Sequence, residues 1–291
     1  MADSDTLQRF LFENAAIRGE LVRLDATWRA VLSKHDYPEP LARVMGEMMA
    51  AGALLAATLK FNGTLIMQIQ GTGPVRLVVV ECTAQFALRA TAKWEGGLSD
   101  TDFAALVGDG KFAITLDPKD GGTTYQGIVE LRGRSVAEVL EHYMERSEQL
   151  GTKLVLAADG GLACGLLLQK LPEGTSEDAD AWNRVNQLAA TLSSNELLQL
   201  PFAAIVHRLF HEEDVRIFEP QPVHFECSCS RERVSGMLRM LGLDEVRSIL
   251  AEQGQVEVGC EFCNQRYVFD AVDAEQLFAA DVVTPTGKTR H

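Results

Sequence analysis

Apolar positions between Leu41 and Lys60 recur at three- and four-residue steps (Leu41, Val44, Met45, Met48, Met49), the period of a helix. Asn62-Gly63 ends that pattern, and the period then changes to two. Thr64 to Gln70 alternates, Gly71-Thr-Gly-Pro74 turns the chain, and Val75 to Val80, apolar except at Arg76, reads as a buried strand. Phe86 to Ala92 follows as a third strand. Lys111 to Leu116 and Thr123 to Leu131 flank the turn Asp117-Pro-Lys-Asp-Gly-Gly122. Ser135-Val-Ala-Glu138 is a capping-box signature, opening a helix through Gln149. Leu154 to Ala157 and Leu162 to Leu168 flank Asp159-Gly160, a hairpin signal. Upstream, residues 7–14 predict an opening strand and 17–32 an amphipathic helix, with a loop at Pro38 and Pro40. Strands joined mainly by turns predict the α+β class, a mainly antiparallel sheet with packed helices over residues 1–172.

Beyond Pro172 the pattern shifts. Glu173 to Asp180 is an acidic loop, and Trp182–Leu192, Asn195–Leu200 and Phe202–Phe210 read as helices. Trp182, Val185, Leu188, Ala189 and Leu192 share one face, which needs a surface to dock on. Residues 173–222 are thus expected to be a helical connector, closed by Pro220 and Pro222. Residues 223–291 form a last small module. Ser230 caps a helix through Leu241, a second runs from Asp244 to Glu252, and Val256–Val258 with Tyr267–Phe269 makes a hairpin. The tail from Thr284 to His291 is expected to be disordered.

The chain has 291 residues, 46% of them apolar, enough for one large packed domain and a smaller one. Its net charge of −14 repels phosphate backbones. The N-terminus lacks the basic start and apolar core of a secretory signal, and the apolar run between Glu47 and Lys60 is too short to cross a bilayer. A cytosolic protein without membrane or nucleic-acid partners is expected. In a reducing cytosol, close cysteine pairs serve as metal ligands or redox switches more readily than as structural disulfides.

Two such pairs dominate the last module: Cys227-Ser-Cys229 and, thirty residues on, Cys260-Glu-Phe-Cys263. Four thiolates suit tetrahedral zinc, and a closed four-thiol site is structural rather than catalytic. A module of about sixty residues buries little core and needs such a staple. His224, three residues before Cys227, is expected to be a solvated or packing residue. Between Cys227 and Asp270 five basic residues face seven acidic ones, which disfavours a zinc-ribbon nucleic-acid binder. Zinc-held thiolates stay open to oxidants, and pairs at i,i+2 and i,i+3 are close enough to form disulfides. A thiol-disulfide oxidoreductase would need a βαβ setting for its Cys-x-x-Cys, which the antiparallel pattern does not supply.

Other candidates carry less. Cys82 and Cys164 lie in apolar strands and are expected as buried thiols. His207 and His211 have Arg208 where a zinc-protease motif needs Glu. Gly287-Lys-Thr289 lacks the earlier glycine of a phosphate loop. Gly71-Thr-Gly73 precedes a proline and a strand, so it is a turn. No catalytic constellation emerges, and no enzyme activity is expected.

The cysteine spacing, with His211-Glu-Glu-Asp-Val215, Cys227-Ser-Cys-Ser-Arg-Glu-Arg233 and Ser248-Ile-Leu-Ala-Glu252, resembles the C-terminal half of the heat-shock protein 33 family. Leu59-Lys-Phe-Asn-Gly63, Gln70-Gly-Thr-Gly-Pro-Val-Arg76 and Val80-Glu-Cys82 are similar to that family's N-terminal core. The resemblance implies a redox-regulated, ATP-independent holdase with one Zn2+ per reduced chain on Cys227, Cys229, Cys260 and Cys263. It implies that oxidation forms disulfides Cys227–Cys229 and Cys260–Cys263, releases zinc and unfolds the module and connector. The opened chain then dimerises, holds unfolding clients, and passes them on reduction to ATP-dependent foldase chaperones. Under that expectation the connector residues Trp182, Leu188, Leu192, Leu197, Leu200, Phe202 and Leu209 cover an apolar surface until release.

Overall fold

The computed structural model describes residues 4–98, 102–171, 178 and 180–279. The predicted tail at 284–291 and most of the acidic loop at 173–180 lie outside them. The chain opens with strands β1 (Thr6–Phe12) and β2 (Ile17–Leu24), then helix α1 (Ala26–Leu32). The helix expected over 17–32 is therefore a strand followed by two helical turns. The long helix α2 (Glu39–Thr58) comes next, with Pro40 in its first turn, where a missing N–H costs nothing. It ends earlier than its sequence pattern predicts, because Leu59 is already extended.

Strands β3 (Gly63–Gly71), β4 (Val75–Thr83) and β5 (Ala87–Trp94) form a meander. A short helix α3 (Phe103–Val107), absent from the sequence prediction, leads to β6 (Gly110–Pro118) and β7 (Tyr125–Glu130). Helix α4 (Val136–Tyr143) starts on Ser135, whose hydroxyl accepts from the Glu138 N–H, and widens into a π turn over Met144–Glu148. The hairpin β8 (Thr152–Ala158) and β9 (Ala163–Lys170) follows. Helices α5 (Ala181–Ala190), α6 (Ser194–Gln199) and α7 (Phe202–Phe210) occupy the expected connector. The connector is not helical to its end, however. β10 (Val215–Ile217) and β11 (Gln221–Pro222) both pair with β1, and β12 (His224–Phe225), just past the connector's expected end at 222, pairs with β5. Beyond it lie α8 (Arg231–Leu241), α9 (Leu243–Gln253), β13 (Val256–Gly259), β14 (Arg266–Phe269) and α10 (Ala271–Ala279), the last also absent from the prediction.

Contacts group the chain into two units, Met1–Glu226 and Cys227–His291. The first holds two sheets, ordered β10-β1-β2-β9-β8 and β12-β5-β4-β3-β6-β7. Among the described residues its pairings are antiparallel except that of β12 with β5. The class is α+β with antiparallel sheets.

Helix α2 packs on strands of both sheets and is buried nearly all round. By length and composition alone it could cross a membrane, but 83% of its most apolar window is buried inside the fold. Small residues let the sheets approach: a Cβ on Gly46 would lie 2.5 Å from that of Ala158. Two carbonyls at its C-terminus, Ala57 and Thr58, accept hydrogen bonds from Arg9 and Arg18. The outer face of the first sheet carries a separate core. Phe10, Phe12, Ile17, Leu21, Cys164, Leu166 and Leu168 lie there beneath α5–α7.

The second unit has its own small core of Leu238, Val246, Val256, Phe269 and Ala274. Arg231 stacks 4.1 Å over the Phe269 ring and bonds to Asp273.

Candidate metal centre and the connector face

Cys227 and Cys229 stand just before α8. Ser230 begins that helix by accepting from the Arg233 N–H, which fixes the direction in which the first pair enters. Cys260 and Cys263 sit on the turn between β13 and β14. The turn closes by Cys260 N–H donating to the Gln265 carbonyl and Asn264 N–H donating to the Cys260 carbonyl. Asn264 holds the left-handed conformation, φ 61°, that this reversal needs and that asparagine tolerates.

The four sulfurs all lie within 4.8 Å of one another. Cys227 Sγ is 3.6 Å from Cys260 Sγ, and Cys229 Sγ is 3.3 Å from Cys263 Sγ. Tyr267 donates its hydroxyl to Cys229 Sγ at 3.2 Å. Burial pushes the Cys260 thiol up, against backbone N–H groups of Cys263 and Phe262 that favour its thiolate. Burial, then bonds to the neighbouring sulfurs, pushes Cys263 up to about 12. Four thiols this close cannot all ionise without an opposing charge. A soft, tetrahedral divalent cation such as zinc matches both the donor type and the count. The four cysteines predicted as ligands are thus brought together.

The other sulfurs and histidines are placed elsewhere. Cys82 and Cys164 are fully buried, and burial raises both, Cys164 to about 11. His224 Nε2 lies 3.3 Å from a Glu226 carboxylate oxygen. His207 and His211 stack with ring centroids 5.7 Å apart.

Of the predicted connector residues, Leu192, Leu197, Phe202 and Leu209 are buried, while Trp182, Leu188 and Leu200 are half-buried at the rim of the same cluster. Val185, Ala189, Ile205, Val206 and Phe210 are buried with them. Phe210, Phe10 and Phe12 form an aromatic cluster, Phe12 meeting Phe210 edge-on at 5.1 Å. The role of Phe210 could have been found by extending the i, i+3, i+4 pattern of α7 to its last residue.

Residues 5–270 match the family model described as Hsp33 protein. The chain is 53% identical to a 33 kDa chaperonin of Methylobacillus flagellatus, covering all of both chains. It is 56% identical to a 33 kDa chaperonin of Chromobacterium violaceum, covering all of this chain and 99% of that one. Its fold matches the crystal structure of the 33 kDa chaperonin (heat shock protein 33 homolog) of Thermotoga maritima, with TM-score 0.84 and 24% identity. That match covers 96% of this chain and 99% of the other. A model spanning most of the sequence and relatives above half identity along their whole length place this chain in the Hsp33 family.

Proposed function

We propose that this chain is a cytoplasmic redox-regulated holdase, an ATP-independent chaperone that binds unfolding proteins under oxidative stress. The gathering of four thiols within 4.8 Å in a unit with a five-residue buried core carries this reading. Residues 1–172 serve as the client-binding and dimerising core, 173–222 as the redox-sensitive linker, and 223–291 as the switch. Zinc, when bound to Cys227, Cys229, Cys260 and Cys263, supplies the charge that keeps the thiolates together and ties the helix start to the hairpin turn. Oxidation removes the donors. Cys227 with Cys229, and Cys260 with Cys263, each lose two electrons from their zinc-held thiolates as an S–S bond forms, while solvent supplies the two protons that peroxide takes up. Each pair reduces one peroxide to two waters.

The five-residue core alone does not hold the module, and its unfolding frees the linker. The apolar residues Trp182, Leu188, Leu192, Leu197, Leu200, Phe202 and Leu209 then leave the sheet, and both apolar faces become available to clients. The opened chain forms a homodimer, and reduction hands clients to ATP-dependent foldases. Membership of a family whose relatives are named chaperonins supports the client-binding part.

The test oxidises the zinc-loaded protein with peroxide under mild heat. Zinc release, disulfide mapping and aggregation of an unfolding client are followed together. The expected result is zinc loss in step with suppressed aggregation, with the two sequence-neighbour disulfides mapped. Retained zinc overturns the switch, and unchanged aggregation despite zinc loss overturns the chaperone reading. Mapping also separates this pairing from Cys227–Cys260 and Cys229–Cys263, whose sulfurs are close in the reduced cluster.

A further inference from the structure

Helix α6 is secure at its start and open at its end. A capping box closes the start: Ser193 Oγ accepts from the Glu196 N–H, and Glu196 accepts from the Ser193 N–H. At the other end, each helical carbonyl would accept from the amide four residues on. For Leu197 that residue is Pro201, which has no N–H. Leu200 is already extended, so its carbonyl lies outside the helical ladder.

Arg23, on β2, donates to the carbonyls at this end. Its Nη1 donates to the Leu198 carbonyl at 2.8 Å. Its Nη2 donates to the Leu200 carbonyl at 2.7 Å and, more weakly, to that of Leu197 at 3.5 Å. A guanidinium offers a fixed fork of donors, and its charge strengthens each bond. Two other arginines in this region bond within the connector itself: Arg184 to Asp178 and Glu213, Arg208 to Glu196 and Thr191. Those contacts can travel with the connector if it leaves the sheet. The Arg23 contacts cannot.

We propose that Arg23 is the core-side latch of the connector, a positioning residue whose fork on the α6 carbonyls sets how readily the connector leaves the first sheet. The latch is defined by geometry, and its effect on activation rests on the holdase reading above. The latch contains no sulfur. Loosening it therefore releases the connector while the four cysteines of the switch stay reduced.

The test compares Arg23→Gln, which removes charge and fork, and Arg23→Lys, which keeps one charged donor group, with wild type as reduced, zinc-loaded full chains. Amide exchange over residues 194–206 should rise roughly tenfold or more in Arg23→Gln and by less in Arg23→Lys. Exchange in α2 should stay at the wild-type level, and zinc and free thiols should be unchanged. Aggregation suppression should then appear at a lower dose of peroxide. Arg208→Gln, which cuts an ion pair internal to the connector, should move exchange far less. If Arg23→Gln does not fold, Arg23→Lys is judged by the same criterion. Wild-type exchange over 194–206 in the folded variants overturns the latch, as does an equal effect from Arg208→Gln. Raised exchange, with no client held even by oxidised wild type, keeps the latch and overturns the holdase reading.

Discussion

Glu20 is 1% exposed, and its carboxylate lies 3.6 Å from Arg9 Nε with Oε2 left without a hydrogen-bond partner. Burial raises its pKa to about 8, against the pull of Arg9 and Arg18. The folded chain therefore keeps a proton that the unfolded chain has released, between the ordinary value of 4.5 and about 8. Stability from this group is full below that window and is lost as pH rises through it. Wild type should lose on the order of a few kcal/mol between pH 5 and pH 8, and Glu20→Gln should flatten that slope. Denaturant melts at the two pH values check this, and equal slopes would refute it. Glu47, raised by burial to about 7, leaves a residual slope in both proteins. The same residue explains a misreading. Arg18, Glu20 and Arg23 interrupt the apolar run of β2, and a charge is normally a mark of solvent. Here all three are wholly or partly buried. Arg18 bonds to Gln169, Glu20 faces Arg9, and Arg23 bonds to α6.

At the scale of elements, α7 closes its buried face with an aromatic ring at its last residue. Phe210 is 2% exposed and packs on both Phe10 and Phe12. Phe10 in turn lies over Gly19, where a Cβ would fall 2.0 Å from the ring, so the cluster has no room to shift. Phe210→Ala should weaken connector docking by about 3–5 kcal/mol. Amide exchange over α5–α7, read against α2, measures that loss, and wild-type protection would refute it. The helices of the connector were legible because their apolar face repeats over three elements. β10, β11 and β12 were not, since two or three residues carry no period, and their partners β1 and β5 lie far away in sequence. The four cysteines were legible by spacing alone; the Tyr267 hydroxyl on Cys229, contributed by the facing strand, was not.

For the whole molecule, the two units differ in what holds them. The first has a helix packed on two sheets, whereas the second has, among its described residues, a cluster of five buried apolar side chains and four thiols. A zinc chelator added to the zinc-loaded, reduced protein should abolish amide protection in α8, α9 and the β13–β14 hairpin. Protection in α2 should survive. Simultaneous loss in both units, or none in the second, would refute this.

The pairing of β10 and β11 with β1, and of β12 with β5, has a consequence for selectivity. In the opening proposed above that stretch would peel away, leaving two strands with bare rows of N–H and C=O groups. Backbone pairing asks nothing of side chains, so such an edge can grip any extended stretch of polypeptide. On the proposed reading, a chaperone opened in this way would recognise the state of its client, a chain that has lost its own partners, rather than the client's sequence.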